Sequence, residues 1–408
     1  MDVPSTRSLF ERVRSLPAAG PLLSALDDEP RVYLVGGAVR DLLMGGEPYD
    51  LDVVVEGDAA ALAAHLGERF RVHDRFGTST VELDGFGYDI ARARRETYAR
   101  PGALPEVEPA SLVEDLRRRD FTVNAIAVAL TGSRAGELHA VPLALEDLSA
   151  RSLRVLHDAS FTDDPTRLLR LARYGSRLAF AVEPHTLRLA RRAIDSGAIG
   201  TVSGARVGSE LRLLAREADP LSAFEHLREL GVDRAIHPGF GLSDRSLGER
   251  ALGLLPEDGR RDRLSLALAA RGVPPAELPG LLARLAFEAE DRDAVIAAAT
   301  RADELARTLA EARRPSQIAA AVAGSAPELV ALAGALGPAP AAREWLTRLR
   351  HVRLEIDGRA LLEAGVPEGP AVGRGLRAAL ADKLDGRLSG REAELARALA
   401  AAGREGEG

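Results

Sequence analysis

The stretch RVYLVGGAVRDLLMGGEPYDLDVVVEG, residues 31–57, decides the fold of the first part of the chain. Its apolar run before the glycines predicts a strand over 31–37, and the segment after them predicts a short helix over 38–45. A second apolar run predicts a strand over 50–57. The residues beyond it predict a helix over 58–70 and strands over 79–85 and 86–93. Together these elements indicate a small α/β unit.

Two features of this stretch have chemical meaning. Gly36 and Gly37, at a strand-to-helix turn, would let a phosphate approach the backbone N–H groups and the positive end of a helix. Asp50 and Asp52 are one residue apart in a predicted strand, so their carboxylates should point to the same side. Such a pair can hold two hard cations for an in-line displacement at phosphorus. Each feature alone also fits a packed turn or a solvated strand end.

Composition limits the class of protein. The chain has 408 residues, 46% of them hydrophobic, which is enough for two to four folded domains. It has no cysteine, which excludes disulfides, thiolate nucleophiles and cysteine-based zinc sites. No apolar run reaches the roughly 18 residues of a membrane span, and the first residues are too polar for a secretory signal. We therefore expect a cytoplasmic protein with no membrane partner.

The charge is unevenly distributed along the chain. The net charge is −7, but residues 167–216 carry ten arginines against three acidic residues, a local charge of +7 that leaves −14 elsewhere. Because phosphate neutralisation by basic side chains drives binding to nucleic acid, this segment is a candidate RNA-binding surface. Lys383 is the only lysine, so nearly all the positive charge is guanidinium, which suits phosphates and base edges.

The remaining chain predicts a change of structural class. Residues 92–115 contain Pro101, Gly102, Pro105 and Pro109 with charges of both signs, which indicates an exposed excursion, such as a mobile loop. From about Ala144 onward, amphipathic helical patterns dominate. We expect an α+β protein with a small mixed-sheet head over 1–150, followed by a helical neck over 151–216, a helical body over 217–310 and a helical tail over 311–408.

The segment RRDFTVNA, residues 118–125, carries the most specific pattern. Arg119 offers a forked donor for phosphate or sugar oxygens, Asp120 accepts from ribose hydroxyls, and Asn124 can do either. Asp120 could equally cap a helix. The segment resembles the RRDFTxNA motif of class II tRNA nucleotidyltransferases and bacterial poly(A) polymerases. The glycine pair, twelve intervening residues and Asp-x-Asp resemble the pattern of the polymerase β nucleotidyltransferase superfamily, which implies a third, less certain metal-binding carboxylate at Asp89.

Later segments extend the resemblance to about residue 215. Asp147 with Arg154 resembles the family segment that joins head and neck, and Arg206 with Glu210 resembles a motif that braces the neck. Residues 161–170 resemble the family helix in which an acid and an arginine read the incoming base, here Asp164 and Arg167. Asp163 stands where glutamate is usual, which leaves base choice open. Arg167, Arg170, Arg173 and Arg177 would form one stripe on a helix, either a phosphate track or a solvated face.

The expected function follows from this resemblance. It implies a tRNA nucleotidyltransferase that adds C and A to the 3′ end of tRNA from CTP and ATP, using two Mg²⁺ ions and no nucleic-acid template. The predicted metal ligands are Asp50, Asp52 and Asp89. The predicted nucleotide-binding residues are Gly36, Gly37, Arg40, Arg119, Asp120, Asn124, Asp163, Asp164, Arg167 and Arg170, and the predicted RNA-binding residues are Arg173, Arg177 and Arg206.

Several alternatives share these motifs. A CC-only enzyme, an A-only enzyme and a poly(A) polymerase would carry all of them. A small-molecule nucleotidyltransferase would share only the glycine pair and Asp-x-Asp, and the RRDFTVNA segment disfavours it. A protein that binds RNA without catalysis is disfavoured by the intact Asp50, Asp52 and Arg119. The oligomeric state is left open.

Overall fold

The computed structural model describes residues 6–26, 31–48, 50–67, 69–73 and 77–403. They group into two compact units, one comprising Met1–Glu210 with His226–Ile236 and the other Leu211–Glu225 with His237–Gly408. The first unit combines a sheet with helices, and the second is helical. The predicted α+β class with a mostly helical remainder is confirmed. The bounds of the four domains predicted from the sequence stay a prediction.

The strands of the first unit are short. They are β1 Val32–Val35, β2 Asp52–Val55, β3 Arg69–His73, β4 Thr78–Leu83, β5 Phe86–Arg92, β6 Arg94–Thr97, β7 Glu106–Pro109, β8 Ile126–Ala129, β9 Leu138–Ala140, β10 Ser152–Leu153 and β11 Ala181–Val182. Seven of them form a mixed sheet in the order β3-β4-β5-β2-β1-β8-β9. Only β2 and β5 pair in parallel within it. The strands β6 and β7 form a separate hairpin, and β10 pairs with β11 inside the otherwise helical predicted neck.

The helices fall into three groups along the chain. The first unit contains α1 Thr6–Ser15, α2 Ala19–Leu26, α3 Gly37–Leu43, α4 Ala59–Leu66, α5 Leu112–Arg117, α6 Ala144–Ser149, α7 Ser160–Asp163, α8 Thr166–Leu178, α9 Pro184–Asp195 and α12 Val232–Ile236. The chain passes from one unit to the other within α10 Gly204–Ala215 and α11 Pro220–Leu230. The second unit contains α13 Arg245–Leu254, α14 Arg261–Ala270, α15 Leu278–Arg284, α16 Ala289–Glu311, α17 Pro315–Ala321, α18 Pro327–Ala335, α19 Ala339–Thr347, α20 Gly358–Glu363, α21 Pro370–Leu384 and α22 Arg391–Ala402.

Local sequence explains where several elements begin. Asp58 precedes α4 and accepts hydrogen bonds from the backbone N–H groups of Ala60 and Ala61, at 2.9 and 3.3 Å. Ser111 and Glu114 form a reciprocal capping box at the start of α5. Both arrangements satisfy N–H groups that have no partner within their own helix. These caps fix the ends of two helices that flank the sheet and its hairpin.

At the β3–β4–β5 end of the sheet, one face is covered and the other is open. α4 packs on β3, β4 and β5, and Val81, Tyr88 and Ile90 are fully buried. Their neighbours Thr80 and Asp89 are exposed because successive side chains of a strand point to opposite faces. The open face therefore presents polar side chains from β4 and β5 to solvent.

Two predictions for this unit were wrong in detail. The predicted helix over 58–70 ends at Leu66, and β3 begins at Arg69. The sequence of this edge strand, Arg-Phe-Arg-Val-His, does alternate polar and apolar side chains, but the prediction assigns its first two residues to the preceding helix. Residues 92–115, predicted as a loop, form the β6–β7 hairpin and the start of α5. The strands β8 and β9 were also missed.

The second unit has its own core. α18 packs against α13, α14, α16 and α19, and all its side chains from Leu329 to Ala333 are buried. A second cluster, nearer the end of the chain, consists of Ile356, Ala360, Leu361, Ala379 and Ala398. In the described part of the chain, no helix combines the length and apolar character needed to cross a membrane.

Candidate active site

A cleft of about 500 Å³ in the first unit gathers most of the predicted site residues. Those on its wall are Gly36, Gly37, Asp52, Arg119, Asp120, Asn124, Asp164, Arg167, Arg170 and Arg206. Residues from the β1–α3 turn, β2, the RRDFTVNA segment, α8 and α10 thus meet in one place. Six predicted residues are not on this wall, namely Arg40, Asp50, Asp89, Asp163, Arg173 and Arg177.

The glycine pair forms the predicted tight turn between β1 and α3. Gly36 has a φ of +69°, a backbone conformation that disfavours side chains. A Cβ atom at this position would lie 2.8 Å from Nη1 of Arg119. Gly36 is therefore required both by the turn and by the close approach of the Arg119 guanidinium.

Three acidic side chains, Asp50, Asp52 and Asp89, form what we call the carboxylate edge. Asp50 and Asp52 are exposed on either side of the buried Leu51, which agrees with side chains pointing to one side, although β2 begins only at Asp52. Asp89 is the direct cross-strand partner of Asp52 in the parallel pair β2–β5. The hydroxyl of Thr80 donates a 2.8 Å hydrogen bond to Asp89 and fixes its orientation.

The electrostatics of the carboxylate edge are unfavourable without a cation. Burial raises the pKa of Asp52, and Asp89 and Asp50 raise it further, while Arg119 lowers it. Like charges and desolvation both disfavour the ionised carboxylate. Among the described residues, no group of three or more His, Asp or Glu side chains is close enough together to hold a metal ion. The assignment of Asp50, Asp52 and Asp89 as metal ligands stays a prediction.

A buried acid that sequence reasoning missed positions the two arginines of the motif. Asp115 is fully buried and accepts from Arg118 at 2.7 and 3.0 Å and from Arg119 at 3.0 Å. Burial alone would raise the pKa of Asp115, but the two arginines outweigh it and the pKa is lowered. Nε of Arg119 is buried without a hydrogen-bond partner among the described residues. Arg119 is therefore held beside Asp52 with a donor still available.

A second group of side chains, which we call the ion-pair cluster, consists of Arg40, Asp120, Asn124, Arg170 and Glu210. Asp120 accepts from Arg170 at 2.6 and 2.8 Å and from Asn124 at 3.0 Å. Arg40 donates to Asn124 at 2.6 Å, and Glu210 lies 3.4 Å from Arg170. Burial alone would raise the pKa of Asp120, but Arg170, Asn124 and Arg167 lower it to about 2. Asp120, Asn124 and Arg170 are thus paired by hydrogen bonds, whereas Oε2 of Glu210 lies 3.5 Å from Nε of Arg173 and has no hydrogen-bond partner among the described residues.

The predicted base-reading pair lies on the cleft wall but not on one helix. α8 begins at Thr166, and Asp164 precedes it in an extended conformation, where it accepts from Arg206 at 2.7 Å and from the hydroxyl of Thr166 at 2.6 Å. Arg167 is buried and donates to the Ser160 hydroxyl at 2.6 Å and to the Arg118 carbonyl at 2.7 Å. Both side chains are thus held rigidly at the cleft.

The predicted arginine stripe on α8 is not a continuous surface track. Arg173 is only 5% exposed and its Nε lies 3.5 Å from Glu210, so it cannot reach an RNA backbone in this arrangement. Arg167 is buried as well, and only Arg177 is exposed. The guanidinium groups of Arg170, Arg173 and Arg177 lie 4.9 to 5.9 Å from the ring of Tyr174. The ring of Tyr174 is thus a cation–π partner for these arginines. A prediction based on charge alone does not reveal this partner.

Two other predicted residues support or flank the cleft. Arg40 is 2% exposed and donates hydrogen bonds to Asp41 and Asn124, so it orients the ion-pair cluster from a buried position. Asp163 lies at the end of α7, 3.9 Å from His157, and lines a neighbouring cavity of about 350 Å³. The position at which the sequence departs from the family motif is thus next to the cleft and not on its wall.

Seven residues of the cleft wall were not among the predicted site residues; besides Arg118, Thr166, Ser209 and Glu210, they include three from outside the sequence motifs that bring polar or aromatic groups into the cleft. Glu96 and Tyr98 come from the β6–β7 hairpin, where the Tyr98 hydroxyl donates to Glu96 at 2.9 Å. Burial and Glu96 raise the pKa of Tyr98. The third is Tyr174, which packs edge-on against Phe121 of the RRDFTVNA segment. For Tyr98 and Tyr174, the signal available in the sequence was that aromatic residues are rare, at 4% of the chain.

Comparison with known proteins agrees with this geometry. Residues 32–154 match the family model "Poly A polymerase head domain". A CC-adding tRNA nucleotidyltransferase from Deinococcus radiodurans is 36% identical over 85% of this chain and 83% of its own length. An A-adding tRNA nucleotidyltransferase from Geobacter sulfurreducens is 33% identical over 89% of this chain, which spans only 44% of that relative. The CCA-adding enzyme of Thermotoga maritima, solved with tRNA, superposes with a TM-score of 0.75 at 27% identity, over 98% of this chain and 99% of that one.

The match to the Deinococcus protein runs across the head and most of the helical remainder. The motifs that carry the resemblance, from Gly36 to Arg206, meet in a single cleft of the first unit. On these grounds the chain belongs to the class II tRNA nucleotidyltransferases of the polymerase β superfamily.

Proposed function

We propose that this protein adds C and A to the 3′ end of tRNA from CTP and ATP, with release of pyrophosphate and without a nucleic-acid template. The observation that carries the proposal is a single cleft that brings Asp52, the RRDFTVNA segment and the pair Asp164–Arg167 together. Its wall therefore offers groups for the reacting phosphate, the ribose and the base of one nucleotide. Relatives that add A and relatives that add C support both nucleotides as substrates.

The chain's own residues divide the work of binding. Gly36, Gly37 and Arg119 line the cleft together, and we assign the backbone N–H groups of the turn and the Arg119 guanidinium to the phosphate oxygens. Asn124 and the ion-pair cluster present fixed polar groups to the ribose. Asp164 can accept from the exocyclic amine of C or A while Arg167 donates to ring acceptors, a pattern that U and G do not match. The cleft thus selects the nucleotide by rigid hydrogen-bonding groups.

A divalent metal fits the carboxylate edge. Nucleotidyltransferases of this family use divalent metal ions, and we propose two Mg²⁺ ions held by Asp50 and Asp52 with Asp89. The raised pKa of Asp52 marks a negative charge that a cation would stabilise. Mg²⁺ usually takes one or two carboxylates together with substrate phosphates, so a site completed by the nucleotide suits these residues. When bound, the metal would activate the attacking hydroxyl and stabilise the charge on the leaving pyrophosphate.

A CC-only activity is the second candidate. The Deinococcus CC-adding relative aligns over most of both chains, whereas the Geobacter A-adding relative is more than twice as long as the matched region. Asp163 in place of glutamate lies beside the base-reading pair and is a further difference that could change which base is accepted.

One assay separates these activities. Purified protein is incubated with three tRNAs, one lacking CCA, one ending after the first C and one ending after the second C, each with labelled CTP or ATP. Complete CCA addition requires C incorporation into the first two and A incorporation into the third. Incorporation of C alone identifies a CC-only enzyme, A incorporation into the third alone identifies an A-only enzyme, and long A tails identify a poly(A) polymerase. No incorporation into any tRNA would refute the proposal.

A further inference from the structure

Two concavities continue from the cleft along the open face of the sheet. The first, of about 340 Å³, shares Asp52 and Arg119 with the cleft and is also lined by Thr80 and Asp89. The second, of about 510 Å³, shares Thr80 with the first and is lined by Arg69 and Arg71 of the edge strand β3. We call these two concavities together the edge groove. A continuous surface thus leads from the carboxylate edge to the rim of the sheet.

Strand register aligns the residues of the edge groove. Arg71 is the cross-strand partner of Thr80, Thr80 is the partner of Asp89, and Asp89 is the partner of Asp52. Direct partners point to the same face of a sheet, and neighbouring strands lie about 4.8 Å apart. The backbone of Arg71 is therefore about 10 Å from that of Asp89, on the same face.

The two arginines of β3 have no partners within the described structure. Both are exposed, and neither makes a hydrogen bond or an ion pair with a described residue. Glu82 is the cross-strand partner of Arg69, yet the two side chains form no ion pair. This differs from the cleft, where Arg118, Arg167 and Arg170 are each held by an acceptor. Two exposed guanidinium groups that have no partner among the described residues favour an external anion.

The geometry of phosphoryl transfer indicates which anion the two arginines bind. Attacking and leaving oxygens lie roughly in line on opposite sides of the reacting phosphorus. If the cleft holds the nucleotide, as the proposed function requires, the edge groove offers the acceptor hydroxyl a separate approach to Asp52, which lines both. A span of about 10 Å corresponds to about three nucleotides at the roughly 3.4 Å spacing of charges along one strand of a duplex.

We propose that Arg69 and Arg71 bind the phosphate backbone of the last nucleotides of the acceptor RNA and so place its 3′ hydroxyl beside Asp52 and Asp89. Thr80, between Arg71 and Asp89, orients the Asp89 carboxylate through its hydrogen bond and leaves the path open. Arg69 and Arg71 act on the acceptor, not on the nucleotide. They are positioning residues for the reaction proposed above.

The test compares Arg69→Gln/Arg71→Gln with a control that removes the same charge elsewhere on the head. Arg31→Gln/Arg134→Gln is suitable because both arginines are exposed and lie away from the edge groove. Initial rates are measured against tRNA and against CTP at several salt concentrations, and tRNA affinity is measured separately by fluorescence anisotropy without nucleotide. Melting temperatures of all variants confirm folding.

We expect the groove variant to raise the KM for tRNA by about tenfold and to leave the KM for CTP within twofold of the original protein. Its salt dependence should weaken by about 1.4 units of log-log slope, at about 0.7 per single-strand phosphate contact. Arg71→Lys should retain much of the affinity because it keeps the charge. The control variant should change none of these values.

Equal KM for tRNA and equal affinity in the groove and control variants would overturn this inference while leaving the proposed function intact. Conversely, weaker tRNA binding by the groove variant together with no nucleotide transfer by any form would support the groove and refute the proposed function. A rise in the KM for CTP of the same size as that for tRNA would also overturn it, because the arginines would then act on the nucleotide.

Discussion

The carboxylate edge and the ion-pair cluster lie in the same compact unit but differ in electrostatic state. In the cluster, each charge has an opposite charge or a fixed dipole beside it, and the pKa of Asp120 is lowered to about 2. At the edge, like charges and burial raise the pKa of Asp52. A satisfied group stabilises the fold, whereas an unsatisfied one is available to a ligand. The difference predicts that mutations at the carboxylate edge will lower activity and preserve stability. Mutations in the ion-pair cluster should instead lower stability.

Asp52→Asn should have the largest effect on activity. The amide keeps the shape of the side chain but cannot neutralise a divalent cation, so nucleotide transfer should fall by several orders of magnitude. The free energy of unfolding should stay the same or rise, because an unfavourable charge has been removed. Asp50→Asn should behave in the same way.

The measurement is single-turnover transfer to tRNA, together with thermal unfolding. Asp84→Asn, at an exposed turn between β4 and β5, provides a control with the same chemical change. If Asp52→Asn keeps near-normal turnover with unchanged magnesium dependence, the contrast drawn for the carboxylate edge is wrong.

Asp120→Asn should lower the stability of the folded protein. It leaves Arg170, a mostly buried cation, without its principal counter-charge, which should lower the free energy of unfolding by about 3 kcal/mol. Urea unfolding measures this, with the exposed Asp195→Asn as control. A variant as stable as the original protein would show that the ion-pair cluster does not hold the fold together.

The same aspartate gives a pH dependence with a definite sign. Its pKa is lowered in the folded state to about 2, against about 3.9 in an unfolded chain, so its contribution is fully present above about pH 4 and is lost as the pH falls towards 2. That contribution is about 3 kcal/mol. Unfolding free energies measured from pH 5 to pH 2 should therefore fall less steeply in Asp120→Asn. Parallel curves for the two proteins would contradict the assignment.

Arg167→Ala tests whether the rigidly held Arg167 side chain contributes to the choice of nucleotide base. If Arg167 donates to the base, its loss should narrow the preference for CTP and ATP over UTP and GTP by roughly ten- to a hundredfold in kcat/KM, since a good bidentate contact contributes about 1–3 kcal/mol of discrimination. Ser160→Ala is the matched control because it removes only an internal acceptor of Arg167. An unchanged ratio for the four nucleotides with a lowered melting temperature would leave Arg167 a structural role alone.

The smallest effect is expected for substitutions of Arg173 and Arg177, which lie on the same helix, α8, but should respond differently. Arg177 is exposed, so Arg177→Ala should reduce the salt dependence of tRNA binding by about one unit of log-log slope without loss of stability. Arg173 is buried beside Glu210, so Arg173→Ala should instead lower the melting temperature. Salt titrations of tRNA affinity and thermal unfolding of both variants provide the comparison. A reduced salt dependence of tRNA binding in both variants, without loss of stability in either, would restore the continuous stripe expected from the sequence.

The sequence alone determined the chemistry and the order of its parts. RRDFTVNA, the glycine pair and Asp-x-Asp identify the family because their residue types and spacings are local, and local pattern also predicts β1, α3 and β2 at nearly their observed bounds. It misplaces β3, because the prediction assigns Arg69 and Phe70 to the preceding helix although residues 69–73 alternate polar and apolar side chains.

Only the tertiary structure decided how each charge is used. Arg173 and Arg177 lie four residues apart on α8 and look alike in sequence, yet one is buried against Glu210 and the other is exposed. Asp115 shows no motif character, yet it holds Arg118 and Arg119 in place. The alignment of Arg71 with Asp52 arises from the register of four strands, three of them distant in sequence from β2. Burial and counter-charges come from residues far apart in the chain, and those long-range contacts set whether a side chain stabilises the protein or binds a ligand.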